Sequence, residues 1–249
     1  MSEAIELGGI RARRYAEANS ELEALVPNWL SEGRVDGAKE LRKDRVWLWN
    51  GITLKLFPAR SGLGSKLRGS RAVRCAELHA EIAPIRSPKP ILATSDAHGV
   101  SLLAYEYVEG LQLKDLWKSD QAARDSYPEF LADMHKHGVF HGDFHLDQSI
   151  WSGEHWYLLD LEGIRHSLRN IRPRNLVIGH WTRVSFDLEV HCKLTPEELR
   201  ALFDRYVAAG GLAEEPDELW SAICAQVKQN RVEWEKWPLY AQENSGNKS

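Results

Sequence analysis

Apolar residues recur along this chain with two spacings, and each predicts a different kind of element. Between residues 14 and 32, Tyr15, Leu22, Leu25, Val26, Trp29 and Leu30 fall mostly three or four apart ahead of Gly33, which predicts a short amphipathic helix or helical extension. Residues 45–57 instead hold two runs rich in β-branched and aromatic residues on either side of Asn50-Gly51. That dipeptide tolerates the positive φ angles of a type I′ turn, so a hairpin is expected, ended by Pro58. Ser61 to Gly69 reads as a flexible stretch, and Ser70 is placed to cap a helix reaching Ile82, closed off by Pro84, Pro88 and Pro90. A strand is expected over 99–108, then a hinge at Glu109-Gly110.

Beyond the hinge the helical period dominates. Helices are expected over 121–138, ending on Gly138, and over roughly 175–192, 196–209 and 215–236. Between them, 141–150 reads as a loop and 154–163 as a strand. The polar tail is expected to be disordered, and no internal repeat is present. The expected organisation is an α+β chain with four parts: a helical extension (1–36), a part with a sheet and one helix (37–109), a mostly helical part (110–240) and the tail (241–249). Two such parts meeting at a hinge make a natural ligand cleft.

Composition narrows the classes. A formal net charge of −4 argues against nucleic acid as a partner, which needs a basic footprint. Cys75, Cys192 and Cys224 lie far apart and read as reduced thiols of a cytosolic protein. The acidic amino terminus lacks the pattern of a secretory signal, and no apolar run approaches the roughly 20 residues that span a bilayer. Among ten tryptophans, Trp29, Trp234 and Trp237 suit either a peripheral membrane contact or a core.

The chemistry concentrates in Val139-Phe-His-Gly-Asp-Phe-His-Leu-Asp-Gln-Ser-Ile-Trp151 and Trp156-Tyr-Leu-Leu-Asp-Leu-Glu-Gly163. Asp160 follows Asp143 by 17 residues, enough for a loop and a hairpin that bring the two carboxylates to one rim. Phosphoryl transfer needs such a pair, one to position the acceptor hydroxyl and take its proton, the other to hold magnesium against a triphosphate. His141, Asp143 and His145 alternate as well, which is also compatible with a metal-dependent hydrolase.

His141-Gly142-Asp143 followed by Asp160-Leu161-Glu162-Gly163 resembles the catalytic and metal-binding loops of protein-kinase-like phosphotransferases, in the variant of small-molecule, sugar and lipopolysaccharide kinases. Ser70-Arg71-Ala72 leading into Ser87-Pro88-Lys89-Pro90-Ile91 resembles the bacterial lipopolysaccharide kinase family, which phosphorylates Kdo or heptose of the inner core; the similarity runs from about Lys39 to about Gly211. The resemblance implies a two-lobed protein-kinase-like fold, with a small sheet-containing N-lobe and a mostly helical C-lobe, using ATP and Mg2+. It implies Asp143 as the catalytic carboxylate, Asp160 and Gln148 on the metal, Lys55 on the phosphates with Glu77 (or Glu81) as its ion-pair partner, and Glu106 to Glu109 near the adenine, with Glu106 and Val108 as the contacts. His141 and Asp187 would support the loops. Arg165, Arg169, Arg172 and Arg174 follow the metal loop, where they read either as a site for an anionic sugar or glycolipid acceptor or as a solvated basic loop.

Two positions depart from that pattern. Gln148 stands where the family carries asparagine, and residues 38–50 hold a hairpin turn where a glycine-rich loop is usual. A kinase for another small molecule or for a protein hydroxyl, and a pseudokinase-like nucleotide-binding module, therefore stay open. The expected location is cytoplasmic, with the inner membrane as a peripheral surface.

Overall fold

A computed structural model describes residues 2–33, 37–43, 45–58, 70–95, 100–142, 144–166 and 173–234. The chain mixes sheet and helix and divides into two compact units, Met1–Glu109 and Gly110–Ser249.

The first unit is built on a seven-stranded antiparallel sheet in the order β1-β2-β6-β7-β5-β4-β3. Its strands are β1 (Glu3–Leu7), β2 (Ile10–Arg14), β3 (Lys39–Arg42), β4 (Val46–Trp49), β5 (Ile52–Phe57), β6 (Pro90–Thr94) and β7 (Ser101–Glu106). The β4–β5 turn is the expected one, with Asn50 at φ 46° and Gly51 at φ 74°. Helix α1 (Ser20–Glu32) starts at Asn19, whose side chain accepts from the Leu22 N–H at 2.9 Å. It buries Leu22, Val26 and Trp29 against Trp47, Ile52, Leu54, Leu92 and Leu102. Trp29 meets Trp47 edge to face at 5.2 Å. Helix α2 (Arg71–Glu81) has Ser70 as its N-cap and lies by β6 and β7.

Three features here differ from the sequence reading. Residues 3–14 are not helical; they form the β1–β2 hairpin around Gly8-Gly9, and β2 pairs with β6, so part of the expected helical extension belongs to the sheet. The prolines at 88 and 90 do not merely end α2. Pro90 opens β6, an interior strand between β2 and β7, taking the first strand position that its missing N–H favours. Lys39–Arg42, unassigned from sequence, forms β3 at an edge.

The second unit opens with α3 (Leu113–Leu116) and α4 (Gln121–Lys136), the latter capped by Asp120. Two small antiparallel pairs follow. β8 (Val139–His141) pairs with β11 (Ile164–His166), and inside that pair β9 (Ser149–Trp151) forms a hairpin with β10 (Trp156–Leu158). Three longer helices complete the unit: α5 (Pro173–Cys192), α6 (Pro196–Ala208) and α7 (Pro216–Trp234). Thr195 and Glu198 close a capping box at the start of α6. Among the described residues no helix is long and apolar enough to cross a membrane.

Candidate functional site

The nesting of one hairpin inside another strand pair draws the ends of two loops together in the second unit. Gly142 donates its N–H to the Gly163 carbonyl at 2.8 Å, and Leu159 donates to the Gln148 carbonyl at 2.7 Å. The His141 imidazole donates from Nε2 to the Asp160 carbonyl at 2.9 Å, since a carbonyl can only accept. Gly163 makes this possible: a Cβ there would lie 2.2 Å from the His141 ring. Asp160 itself adopts φ 53°, ψ 59°, a left-handed conformation that costs a non-glycine residue roughly 1–3 kcal/mol. Asp143 lies outside the described residues; its neighbours Gly142 and Phe144 are described, and Phe144 is buried.

One face of α5 supports this loop. His180, Arg183 and Asp187, at spacings of three and four, are all buried. The Asp187 carboxylate accepts from the Leu146 N–H at 3.2 Å and pairs with Arg183 at 3.4 Å. The Arg183 Nε–H donates to Nδ1 of His145 at 3.0 Å. His180 reaches the backbone of His141 and stacks on Phe144, with ring centroids 4.9 Å apart. Sequence reasoning singled out Asp187 and passed over His180 and Arg183. The available signal was polar side chains at helical spacing in a segment otherwise rich in buried residues.

The donors implied for magnesium are hard oxygens, which suits that ion. Asp160 supplies a carboxylate and Gln148 an amide oxygen, which also accepts from the His145 N–H at 3.3 Å. Magnesium held by one or two protein groups takes its other ligands from phosphates and water. The two residues carry oxygen donors of the type that ion takes; no group of three His, Cys, Asp or Glu side chains placed to hold a metal occurs among the described residues.

In the first unit, strand alternation turns Lys55 to the face opposite Leu54, away from the α1 core. Its Nζ lies 5.1 Å from the Phe57 ring centroid, and the Arg71 guanidinium lies 5.0 Å from the same centroid. Glu77 is not where the sequence reading placed it: its carboxylate pairs with Arg13 of β2, a strand not anticipated there. Glu106 ends β7 and is exposed, and Val108 is half-buried.

Of the four arginines, Arg169 and Arg172 lie outside the described residues, and Arg165 lies on β11 opposite Phe140. Arg174, in the first turn of α5, pairs with Glu215 at 3.4 Å and Glu218 at 3.8 Å, so its charge is shared with acidic residues around the start of α7.

Comparison with known proteins bears on the same segment. Residues 95–182 match the family model described as lipopolysaccharide core biosynthesis protein (WaaY), a narrower stretch than the motifs suggested. It contains both loops and the first half of α5, and the resemblance to that family is shown there. Among solved structures the chain is similar to a crystal structure of WbdD, with 17% identity, 80% of this chain and 47% of that one covered, and a TM-score of 0.46. A second, described as the bifunctional kinase-methyltransferase WbdD, gives 18% identity, 73% and 46% coverage and a TM-score of 0.44. The chain thus spans about half the length of those two proteins. No curated protein sequence matches it.

Proposed function

Given the resemblance of residues 95–182 to lipopolysaccharide core biosynthesis proteins, we propose that this protein is an ATP-dependent phosphotransferase of protein-kinase-like fold acting on a sugar hydroxyl of a lipopolysaccharide-core-like acceptor, Kdo or heptose. The observation that carries the proposal is the tie between the two loops: the bonds from Gly142 to Gly163 and from His141 to Asp160 hold the segment entering Asp143 against the segment bearing Asp160.

In this reading Asp143 orients the acceptor hydroxyl and receives its proton, general-base help worth about 10²–10⁴-fold. Asp160 and Gln148 would hold the magnesium, which neutralises developing charge on the phosphates. Lys55 contributes a second cation for the phosphates, and Glu106 to Val108 an edge for the adenine. Glu81, one helical turn beyond Glu77, replaces it as the choice for the partner of Lys55, because Glu77 already serves Arg13. Arg165, Arg169 and Arg172 remain the choices for an anionic acceptor, with Arg174 contributing less because of its acidic partners. Such an enzyme works at the cytoplasmic side of the inner membrane, with a peripheral contact there.

The test is incubation of the full chain with labelled ATP, magnesium and a panel of core oligosaccharides, simple sugars and protein acceptors. Transfer to a core sugar that falls by 10²-fold or more in Asp143→Asn, with nucleotide binding retained, is the outcome expected on the magnitude of general-base catalysis. Undiminished transfer by Asp143→Asn would remove the mechanism. A second reading, a nucleotide-binding module without turnover, is favoured by the backbone bond on the Gln148 amide oxygen. A thermal shift with ATP and magnesium but no transfer to any acceptor would select it.

A further inference from the structure

Behind the two loops runs a buried polar chain that the reaction itself does not use. The Tyr206 hydroxyl of α6 lies 2.8 Å from Nδ1 of His135 on α4. Nε2 of His135 lies 2.9 Å from Nδ1 of His180 on α5. Nε2 of His180 lies 2.7 Å from the carbonyl oxygen of His141 and 2.8 Å from its backbone nitrogen. All four residues are buried, and the His141 ring continues the chain to the Asp160 carbonyl. Three helices are thereby joined, side chain to side chain, to the strand that enters the Asp143 loop.

The chemistry of the chain restricts it. Burial lowers the pKa of His135 well below the usual imidazole range and that of His180 to about 4, so near neutrality each ring carries one N–H and one lone pair. Because both the donor and the acceptor of the His141 backbone lie within reach of the same nitrogen, either tautomer of His180 meets a partner in that one residue. Directed from the hydroxyl of Tyr206 through both imidazoles to the His141 carbonyl, the chain leaves no N–H or O–H of these three side chains unpaired. Stacking adds a second hold. His135 lies on Phe140 at 4.8 Å and His180 on Phe144 at 4.9 Å, each pair nearly parallel. His180 therefore grips the loop on both sides of Asp143, at His141 by hydrogen bonding and at Phe144 by its ring face.

We infer that His180 is a positioning residue for the phosphotransfer loop, holding it at His141 and at Phe144, and that Tyr206 and His135 hold it in register. The inference rests on the phosphotransferase reading for its consequence in turnover, but not for its structural content. A misplacement of about 1 Å at a reacting group can cost on the order of 10²-fold in rate, so a hold of this kind is worth more to turnover than to nucleotide binding.

Two variants of the full chain separate positioning from simple stability. His180→Phe keeps a ring against Phe144 and removes the hydrogen bonds; His180→Gln restores a donor and an acceptor on a flexible arm of similar reach, without the ring. Hydrogen exchange of the peptide 139–148 is expected to quicken about tenfold or more in His180→Phe, with α6 and α7 within about twofold of the parent, and to return towards the parent rate in His180→Gln. In transfer assays kcat should fall about 10²-fold in His180→Phe while the KM for ATP stays within about threefold. Unchanged exchange at 139–148, or exchange that rises equally through α6 and α7, would overturn the inference. Should His180→Phe not fold, Tyr206→Phe, which removes only the distant hydroxyl, gives the same readout, and an unaltered 139–148 peptide there also overturns it. Absence of transfer by the parent protein would sink the phosphotransferase reading alone, because the exchange rates decide on His180 without any nucleotide.

Discussion

Lys55 and His141 are both fixed by hydrogen bonds, but of different kinds. Lys55 sits in the middle of β5, flanked by Val46 of β4 and Leu103 of β7, so its position is set by two backbone ladders that are indifferent to side-chain identity. His141 ends a three-residue strand paired with Ile164 of β11, and Gly142 keeps one backbone bond to Gly163; to this short ladder are added side chains, namely His180, Arg183 and Asp187 from α5 and the His141 ring itself. A position set by backbone tolerates substitution, while one set by side chains transmits it. Damage to the second unit at a distance from Asp143 should therefore be felt at the loop, and damage to Lys55 should stay local.

The largest effect that would break this contrast is expected at Asp187. Removing it takes the Asp187 carboxylate from buried Arg183 and the acceptor from the Leu146 N–H, and breaking a buried pair of this kind costs about 3–5 kcal/mol. Urea unfolding of Asp187→Ala should show that loss, and a midpoint within error of the parent would mean that α5 does not support the loop. A smaller effect is expected from acid. The unfolded chain takes up protons on its histidines near pH 6.5, whereas folded His180 resists until about pH 4 and folded His135 is also shifted down. Stability is thus present in full above about pH 6.5 and is lost as the pH falls from there towards 4. Urea midpoints at pH 7.5 and 5.5 should differ in the parent, and less so in His180→Gln; equal midpoints in the parent would contradict the neutral chain. The smallest effect sharpens the other side of the comparison. Lys55→Met, on a ladder-held and half-buried site, should change stability by no more than about 0.5 kcal/mol while weakening nucleotide binding. A loss of several kcal/mol would show that the sheet depends on this side chain.

Legibility follows the same division. The β4–β5 hairpin could be read because Asn50-Gly51 encodes its own turn, and the start of α2 because Ser70 caps the helix it precedes; in both, cause and effect lie within a few residues. The two loops could be read because their spacing of 17 residues allows little except the small hairpin observed. The β1–β2 hairpin carried a comparable signal in Gly8-Gly9 between alternating runs, but its helical neighbour at 20–32 obscured it. Strand β6 was hidden by its own prolines, which read as a stop and serve as a beginning.

Local chemistry alone determined which short segments turn, cap or alternate, because those outcomes depend on bonds among residues close along the chain. Partner choice was decided only when the helices and strands closed on one another. Glu77 met Arg13 rather than Lys55 because β2 joined the sheet, and His180 met His141, 39 residues away, because α5 was laid along the loop. A side chain's sequence neighbourhood records its chemistry but not the group opposite it, and across such separations only the folded packing brings that group within hydrogen-bonding reach.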